Sequence, residues 1–362
     1  MGRGACENQK GILKMDLSII IPTRNRANQI PNILYSLDAC DSVNFNWEVL
    51  IVDNASEDNT KSRIEELSGK VTYPIQYLYE PAPGLHNCRH RGCEEAQGNV
   101  IAYLDDDMKL SKKWLLGAKL CLEGKAHGVV GRIYPDYECS IPFWLDCFIE
   151  KKGGNFGYFG ILELGNEIQK VDPPSMYGGN TFLKKDIIKI LGGFHPDGFP
   201  GDYGGDFLKY RGDGETGFFL KFKQHGYKGF YDPIATAYHY VPKKRMTRDY
   251  INKRAFAEGI SQSFADTRSK NIQSFPDIES DERQTPIQKI RYLKYYLYMV
   301  MKKGKGFIKR HLIEELEQKL YMSYAKGYLF HQNQLKICPD LLEWVLQENY
   351  FDEFNLPNCM KN

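Results

Sequence analysis

"NVIAYLDDD" (Asn99–Asp107) is the stretch whose reading decides the fold. Val100 to Leu104 form an unbroken apolar run, and three consecutive carboxylates follow it. So short a run, with no polar alternation, predicts a strand buried on both faces, the kind found in parallel sheets covered by helices. Asp105, Asp106 and Asp107 repel one another, and nothing basic sits directly beside them. A surface turn tolerates such a cluster in water. At the tip of a buried strand it instead favours an arriving cation, because like charges close together raise each other's cost of ionisation.

The flanking sequence repeats the pattern. "MDLSIIIPTRNR" carries an apolar run, Leu17 to Ile21, stopped by Pro22. Ile30, Ile33, Leu34 and Leu37 then recur at helical spacing. "WEVLIVDNASEDNT" is a second buried strand breaking at Asp53, and a charged helix follows around Thr60 to Leu67. "YPIQYLYE" is a third strand, and "HNCRHRGCEEAQG" a helix ended by Gly98. Strands alternating with helices predict βαβ units and a mostly parallel sheet with helices on both faces. Ligands bind such sheets beyond the carboxyl ends of the strands. Three of those ends carry Pro22-Thr23-Arg24, Asp53-Asn54 and Asp105-Asp106-Asp107.

After Leu110 the pattern loosens. "GVVGRIY" reads as a strand, and 135–177, rich in aromatics and glycine, as long loop structure over a site. "GGNTFLKKDIIKILGGF" predicts a strand and a short helix. "GDGETGFFLKFKQHGYKGFYDPIATAYHYVP" predicts a helix capped by Asp213 and stopped at Gly226, then a strand ending at His239. From about 245 the chain is helical and basic. A polar linker is expected at 266–285, and two amphipathic helices are expected to be separated by a Gly-bearing break at 304–306.

The bulk numbers bound the class. With 362 residues, 42% hydrophobic and 26% charged, the chain is globular. A net charge of +2 lends no support to a nucleic-acid partner. Nine cysteines without disulfide-type spacing, and no N-terminal apolar segment, lead to the expectation of reduced thiols in a cytoplasm. No run approaches the roughly 18 apolar residues of a membrane span.

Each candidate residue has two readings. Hard divalent cations such as Mg2+ or Mn2+ use one or two carboxylates and are completed by substrate phosphates, which suits Asp105 to Asp107. Asp53 is either a nucleoside-binding carboxylate or a turn former in "DNAS". Asp213 and Glu215 are either helix-start acids or a general base for an acceptor hydroxyl. His239 is a packed edge residue or a metal ligand. His86, Cys88, His90 and Cys93 lack zinc-site spacing, whereas Arg89 and Arg91 place cations near a phosphate-binding edge. No GxxxxGK[ST], GxGxxG or GxSxG motif is present, so a bound nucleotide would rest on carboxylates and metal.

Together "LSIIIPTRNR", "EVLIVDNASEDNT", "PGLHNCRHRG", "NVIAYLDDD", "YGGNTFLKKDIIKILGGF" and the 212–242 stretch resemble a family 2 glycosyltransferase of the GT-A fold over about 15–245. The resemblance implies an α/β fold of GT-A (Rossmann-like) type, an inverting transfer from a nucleotide sugar, and Mn2+ or Mg2+. A loose tail would occupy 1–14, a nucleotide-binding half 15–110, an acceptor half 111–245 and a helical extension 246–362. Pro22, Thr23, Arg24, Asp53, Arg89, Asp105, Asp106 and Asn180 are implied in nucleotide-sugar binding. Asp107, with Asp105 and His239, is implied at the metal. Glu215 is the implied base, with Asp213 as cap or supporting acid. The usual adjacent acids are split here by Gly214, and the usual Arg-Asn pair is Arg89-His90. A UDP-sugar donor and a carbohydrate or lipid-linked acceptor are expected. A helical homodimer contact, or a peripheral contact of 286–310 with the inner membrane face through Arg291, Lys294, Lys302, Lys303, Lys305 and neighbouring tyrosines, is a further expectation. The competing readings are a binding protein without transfer activity and a sugar nucleotidyltransferase, though "PTRNRANQ" lacks the latter's glycines.

Overall fold

Strand β1 (Leu17–Thr23) is buried along its whole length and forms the middle of the sheet. It pairs in parallel with β2 (Trp47–Asp53), which pairs in parallel with β3 (Ile75–Tyr79); on its other side it pairs in parallel with β4 (Val100–Leu104). The computed structural model describes residues 14–197, 205–275 and 286–351; in the last segment side chains are described from 310 onward. Leu17, Ile19, Ile20 and Ile21 have no exposed surface, and each such burial stabilises the fold by about 1.5–3 kcal/mol. Pro22 is tolerated because the ladder to β4 ends at the Ile20–Tyr103 pair.

Helices α1 (Ile30–Asp38), α2 (Thr60–Ser68) and α3 (Leu85–Glu95) cover this parallel half. The predicted face of α1, Ile30, Ile33, Leu34 and Leu37, is the buried one. α3 lies directly on β1: a Cβ on Gly92 would overlap the Ile20 side chain. That close approach carries Arg89 into the interior, where it is 2% exposed.

Beyond β4 the sheet becomes mixed. After β5 (Met108–Leu110) and the short α4 (Lys119–Leu122) come β6 (Gly128–Tyr137), α5 (Phe143–Lys151), β7 (Gln169–Val171), β8 (Asn180–Lys184), α6 (Lys185–Ile190), α7 (Gly214–Gln224) and β9 (Gly229–Val241). β8 inserts antiparallel between β4 and β6, β9 runs parallel to β6, and β5 and β7 pair antiparallel with β9. The order is β3-β2-β1-β4-β8-β6-β9-β5. The α/β class, the parallel half and the helical C-terminal region thus stand as expected.

Several local expectations are corrected. The 135–177 stretch holds helix α5, whose Leu145, Phe148 and Ile149 enter a second core, so it is not loop throughout. Helix α8 (Arg248–Ser269) runs into the expected linker, because Asp266 is buried and accepts from Gln262, Gln273 and Tyr328. Helix α9 (Pro286–Ile337) crosses 304–306 without a break. Two glycines cost it only about 1 kcal/mol each, and the lysines around them are good helix formers. α8 and α9 touch backbone to backbone at Gly259 and Gly327, where a Cβ would overlap Tyr324 and Phe256 carbonyl oxygens respectively. Helix α10 (Pro339–Leu346) closes a third core with Trp344 against Tyr210 and Tyr350. Among the described residues no helix is long and apolar enough to cross a membrane. Residues 1–13 of the expected tail, and the side chains of the basic 286–309 face, lie outside the described residues.

Candidate active site

The carboxyl ends of β1 and β4 open into a cavity of about 1170 Å3. Pro22, Arg26, Arg89, Asp105, Asp106, Asp107, Asp213, Glu215, His239 and Arg245 are all part of its wall. The sheet brings them together in two ways. β4 ends at Leu104, and the Asp105 amide donates to the Gly179 carbonyl at 3.1 Å. β5 then pairs with β9 in a register that sets Met108 opposite His239.

That register places the His239 ring against Asp107, with Nε2 3.2 Å from Oδ1. The other ring nitrogen, Nδ1, faces the Phe159 carbonyl, which accepts its proton. Arg245 reaches both partners, at 3.2 Å from Asp107 Oδ2 and 3.1 Å from His239 Nε2. Arg26 lies 3.9 Å from Asp106 and from Asp107. Burial works against ionisation of Asp107, but His239, Arg245 and Arg26 outweigh it and hold its carboxyl below the usual range. The same pairing lifts His239 above its ordinary value despite burial. Burial and the neighbouring Asp107 push Asp106 up, although Thr23 Oγ1 donates to it at 2.7 Å. Burial also raises Asp105, against the pull of Arg89.

Glu215, in the first turn of α7, lines the same cavity. Its Oε2 accepts from Arg89 Nη2 at 3.3 Å, and Arg89 Nη1 lies 3.8 Å from Asp197. The guanidinium sits over the rings of Phe194 and Tyr103 at 5.0 and 5.9 Å. Burial raises the Glu215 carboxyl, with Arg89 pulling the other way. Gly178 and Gly179 allow this crowding: a Cβ on Gly178 would overlap Glu215 and Arg89, and one on Gly179 would overlap Asp105.

Asp213 is not the side-chain cap expected of it. It occupies the N-cap position of α7 without a capping bond, because its Oδ1 is taken by Nδ1 of buried His195 at 2.6 Å.

The remaining sequence candidates stand behind the wall. Thr23 orients Asp106. Arg24 donates to the Asn54 and Ala55 carbonyls and so ties two strand ends together. Asp53 accepts from the Ser56 amide and the Tyr77 hydroxyl at 2.9 Å each. Asn180 is fully buried and spends its amide on Trp114, Arg132 and Ala235, so it belongs to the sheet and not to the cavity surface. Sequence reading missed Arg26, Arg245, Asp197 and the Gly178-Gly179 pair. Arg26 had a signal, its place in "PTRNR" after a strand end; Arg245 depends on the β5–β9 register. Among the described residues no three His, Cys, Asp or Glu side chains form a ready metal cage.

The sequence profile of glycosyl transferase family 2 matches residues 18–191. Glycosyltransferase AglE of Haloferax volcanii is 25% identical over 182 residues, 49% of this chain and 55% of that protein. The GalNAc(5)-diNAcBac-PP-undecaprenol beta-1,3-glucosyltransferase of Campylobacter jejuni is 29% identical over 182 residues, 48% of this chain and 53% of that protein. The chain therefore spans about half the length of these curated relatives. A mannosyltransferase from Pyrobaculum calidifontis, solved with GDP-Man and Mn2+, aligns at 17% identity with a TM-score of 0.49, covering 92% of this chain and 84% of that one. The profile match across β1 to β8 and the named relatives thus make residues 18–191 similar to the glycosyl transferase family 2 domain.

Proposed function

We propose that this chain transfers a sugar from a nucleotide sugar, a UDP-sugar in the favoured reading, to a hydroxyl of a carbohydrate or lipid-linked acceptor, with inversion at the anomeric carbon. The observation that carries the proposal is one cavity lined by both the Asp105 to Asp107 carboxylates and Glu215.

A divalent cation, Mn2+ or Mg2+, would be held at the Asp105–Asp107 end once donor phosphates complete the site, since among the described residues the side chains alone form no ready cage. Arg245 already acts there as a cation shared by Asp107 and His239. Nδ1 of His239 is committed to a carbonyl, which leaves Nε2 as the ligating nitrogen, a common arrangement for metal-bound histidine. Asp107 is held ionised. Asp107, Asp105 and His239 would hold the ion, with donor phosphates completing its shell, and the bound ion would supply Lewis-acid stabilisation of a leaving diphosphate.

The chain's own groups supply the rest. Arg26 and Arg245 stand where they can pair with phosphate oxygens. Glu215 takes the proton of the acceptor hydroxyl as its oxygen pair attacks the anomeric carbon and the sugar–phosphate bond breaks. Burial raises the Glu215 carboxyl, which makes it a stronger base, and Arg89 acts in the opposite direction.

Calorimetric titration of UDP, GDP and dTDP into wild type and Asp107→Ala, each with Mn2+ and with EDTA, tests the donor half. Binding that needs both the metal and Asp107 is the expected result and names the base. No binding of any nucleotide in the presence of metal removes the reading.

A further inference from the structure

The cavity does not end at Glu215. It runs on between α8, α9 and the 152–158 segment, and about 1170 Å3 exceeds the ~300–1,000 Å3 of an ordinary single-ligand pocket. Two arginines mark this extension. Arg211 precedes α7 and donates through Nε to Ser261 Oγ at 3.2 Å, while Ser261 donates to the Gly212 carbonyl at 2.8 Å. The bond fixes the arginine by its inner nitrogen, and Arg211 itself lines the cavity. Arg254, on α8, lies over the Tyr158 ring at 5.8 Å, and its Nε is buried with no hydrogen-bond partner.

Among the described residues neither guanidinium has a carboxylate within ion-pair distance. Arg254 acts on Arg211, which is held below its ordinary value by burial first and by Arg254 second. The carboxylates of Asp197, Glu258 and Glu215 act on Arg211 only from farther away, and Glu258 is exposed. Two like charges brought into one partly buried wall without a close counter-ion lower stability unless an anion joins them.

We infer that Arg211 and Arg254 form an oxyanion subsite that holds a phosphate or carboxylate group carried by the acceptor. The inference rests on the transferase reading above, in which Glu215 meets the acceptor. Arg211 interacts with the Glu215 carboxylate, and Arg254 lines the same cavity, whereas the donor diphosphate is assigned to the Asp105–Asp107 wall with Arg26 and Arg245. A planar fork pairs with a phosphate or carboxylate through two parallel bonds, so the subsite would select anionic acceptors and fix their orientation toward Glu215.

The test titrates methyl phosphate into the full chain, wild type, Arg211→Gln, Arg254→Gln and Arg254→Lys, with and without a saturating nucleoside diphosphate and Mn2+. The expected result is binding that weakens at least about tenfold in each glutamine variant, as loss of a charge-assisted bond implies. The lysine variant should recover part of it, and nucleotide binding should stay at the wild-type level in all variants. Equal binding by wild type and the glutamine variants, or no binding to wild type, overturns the subsite. Competition between methyl phosphate and the nucleotide places the anion in the donor site and overturns the acceptor assignment. A second arm compares UDP-glucuronate with UDP-glucose. A preference for the uronate that Arg254→Gln abolishes assigns the pair to the transferred sugar and equally overturns it. Should no nucleotide bind while methyl phosphate still depends on both arginines, the transferase reading falls and the anion site stands apart from it.

Discussion

Glu215 Oε2 lies 3.3 Å from Arg89 Nη2, and both groups occupy the space that a Cβ on Gly178 would fill. A carboxyl raised by burial is thereby opposed by a cation that is itself enclosed by Phe194 and Tyr103. The pair is held on α7 and α3, two helices that meet only in the folded chain.

Glu215→Gln removes the base while keeping the shape. The expected outcome is a fall in kcat of about 10²–10⁴-fold, with nucleoside diphosphate affinity within a few-fold of wild type. Steady-state transfer assays alongside calorimetry check this; a variant of near wild-type kcat eliminates Glu215 as the base.

Asp213→Asn separates the two acids of "GDGE". Asp213 is committed to His195 at 2.6 Å, so its loss should act on stability. Weakening a charge-assisted buried bond costs about 1.5–3 kcal/mol, readable as a lowered denaturant midpoint, while kcat drops far less than in Glu215→Gln. The reverse ranking of the two variants would make Asp213 the base.

Gly178→Ala introduces a methyl group where Glu215 and Arg89 already stand. Overpacking of this kind costs typically about 1–3 kcal/mol, and here the group displaced is the proposed base. Transfer should fall with little change in nucleotide binding, whereas Gly69→Ala, where open space surrounds the new carbon, should leave transfer intact. Comparison of the two variants by thermal melts and kcat is the measurement.

Stability should decline as pH drops from about 6.5 toward 4. Burial lowers His86 and His331 to about 4 from an ordinary 6.5. Both stay neutral in the fold, whereas the unfolded chain takes up protons below 6.5. Their contribution is therefore present above the unfolded value and lost as pH falls toward the folded one, on the order of 3 kcal/mol for each. Urea unfolding at pH 7.5 and 4.5 of wild type and His331→Gln isolates one share: the variant's acid-induced loss should be the smaller. An unchanged loss would absolve His331.

Much of this molecule is local enough to be read from the chain. The apolar runs of β1, β2 and β4 have no other soluble home than a covered parallel sheet, and the helical period of Ile30, Ile33, Leu34 and Leu37 leaves one face to bury. The carboxylates at a strand tip, and Glu215 opening a helix, were legible for the same reason: each depends on a few consecutive residues. Errors came where long-range contacts overrode local signals. Gly304 and Gly306 did not stop α9, and Asp213 left its capping role for a histidine 18 residues away.

What the sequence by itself determined is the set of elements and the chemistry at their ends, because backbone propensity and hydrophobic period act over a few residues. Only the tertiary structure decided which ends meet. The β5–β9 register brings His239 and then Arg245 to Asp107. The close packing of α3 on β1 carries Arg89 to Glu215, 126 residues away. The packing of α8 over the chain before α7 sets Arg254 near Arg211. Such juxtapositions depend on strand pairing and packing across the whole chain, and no local pattern encodes them.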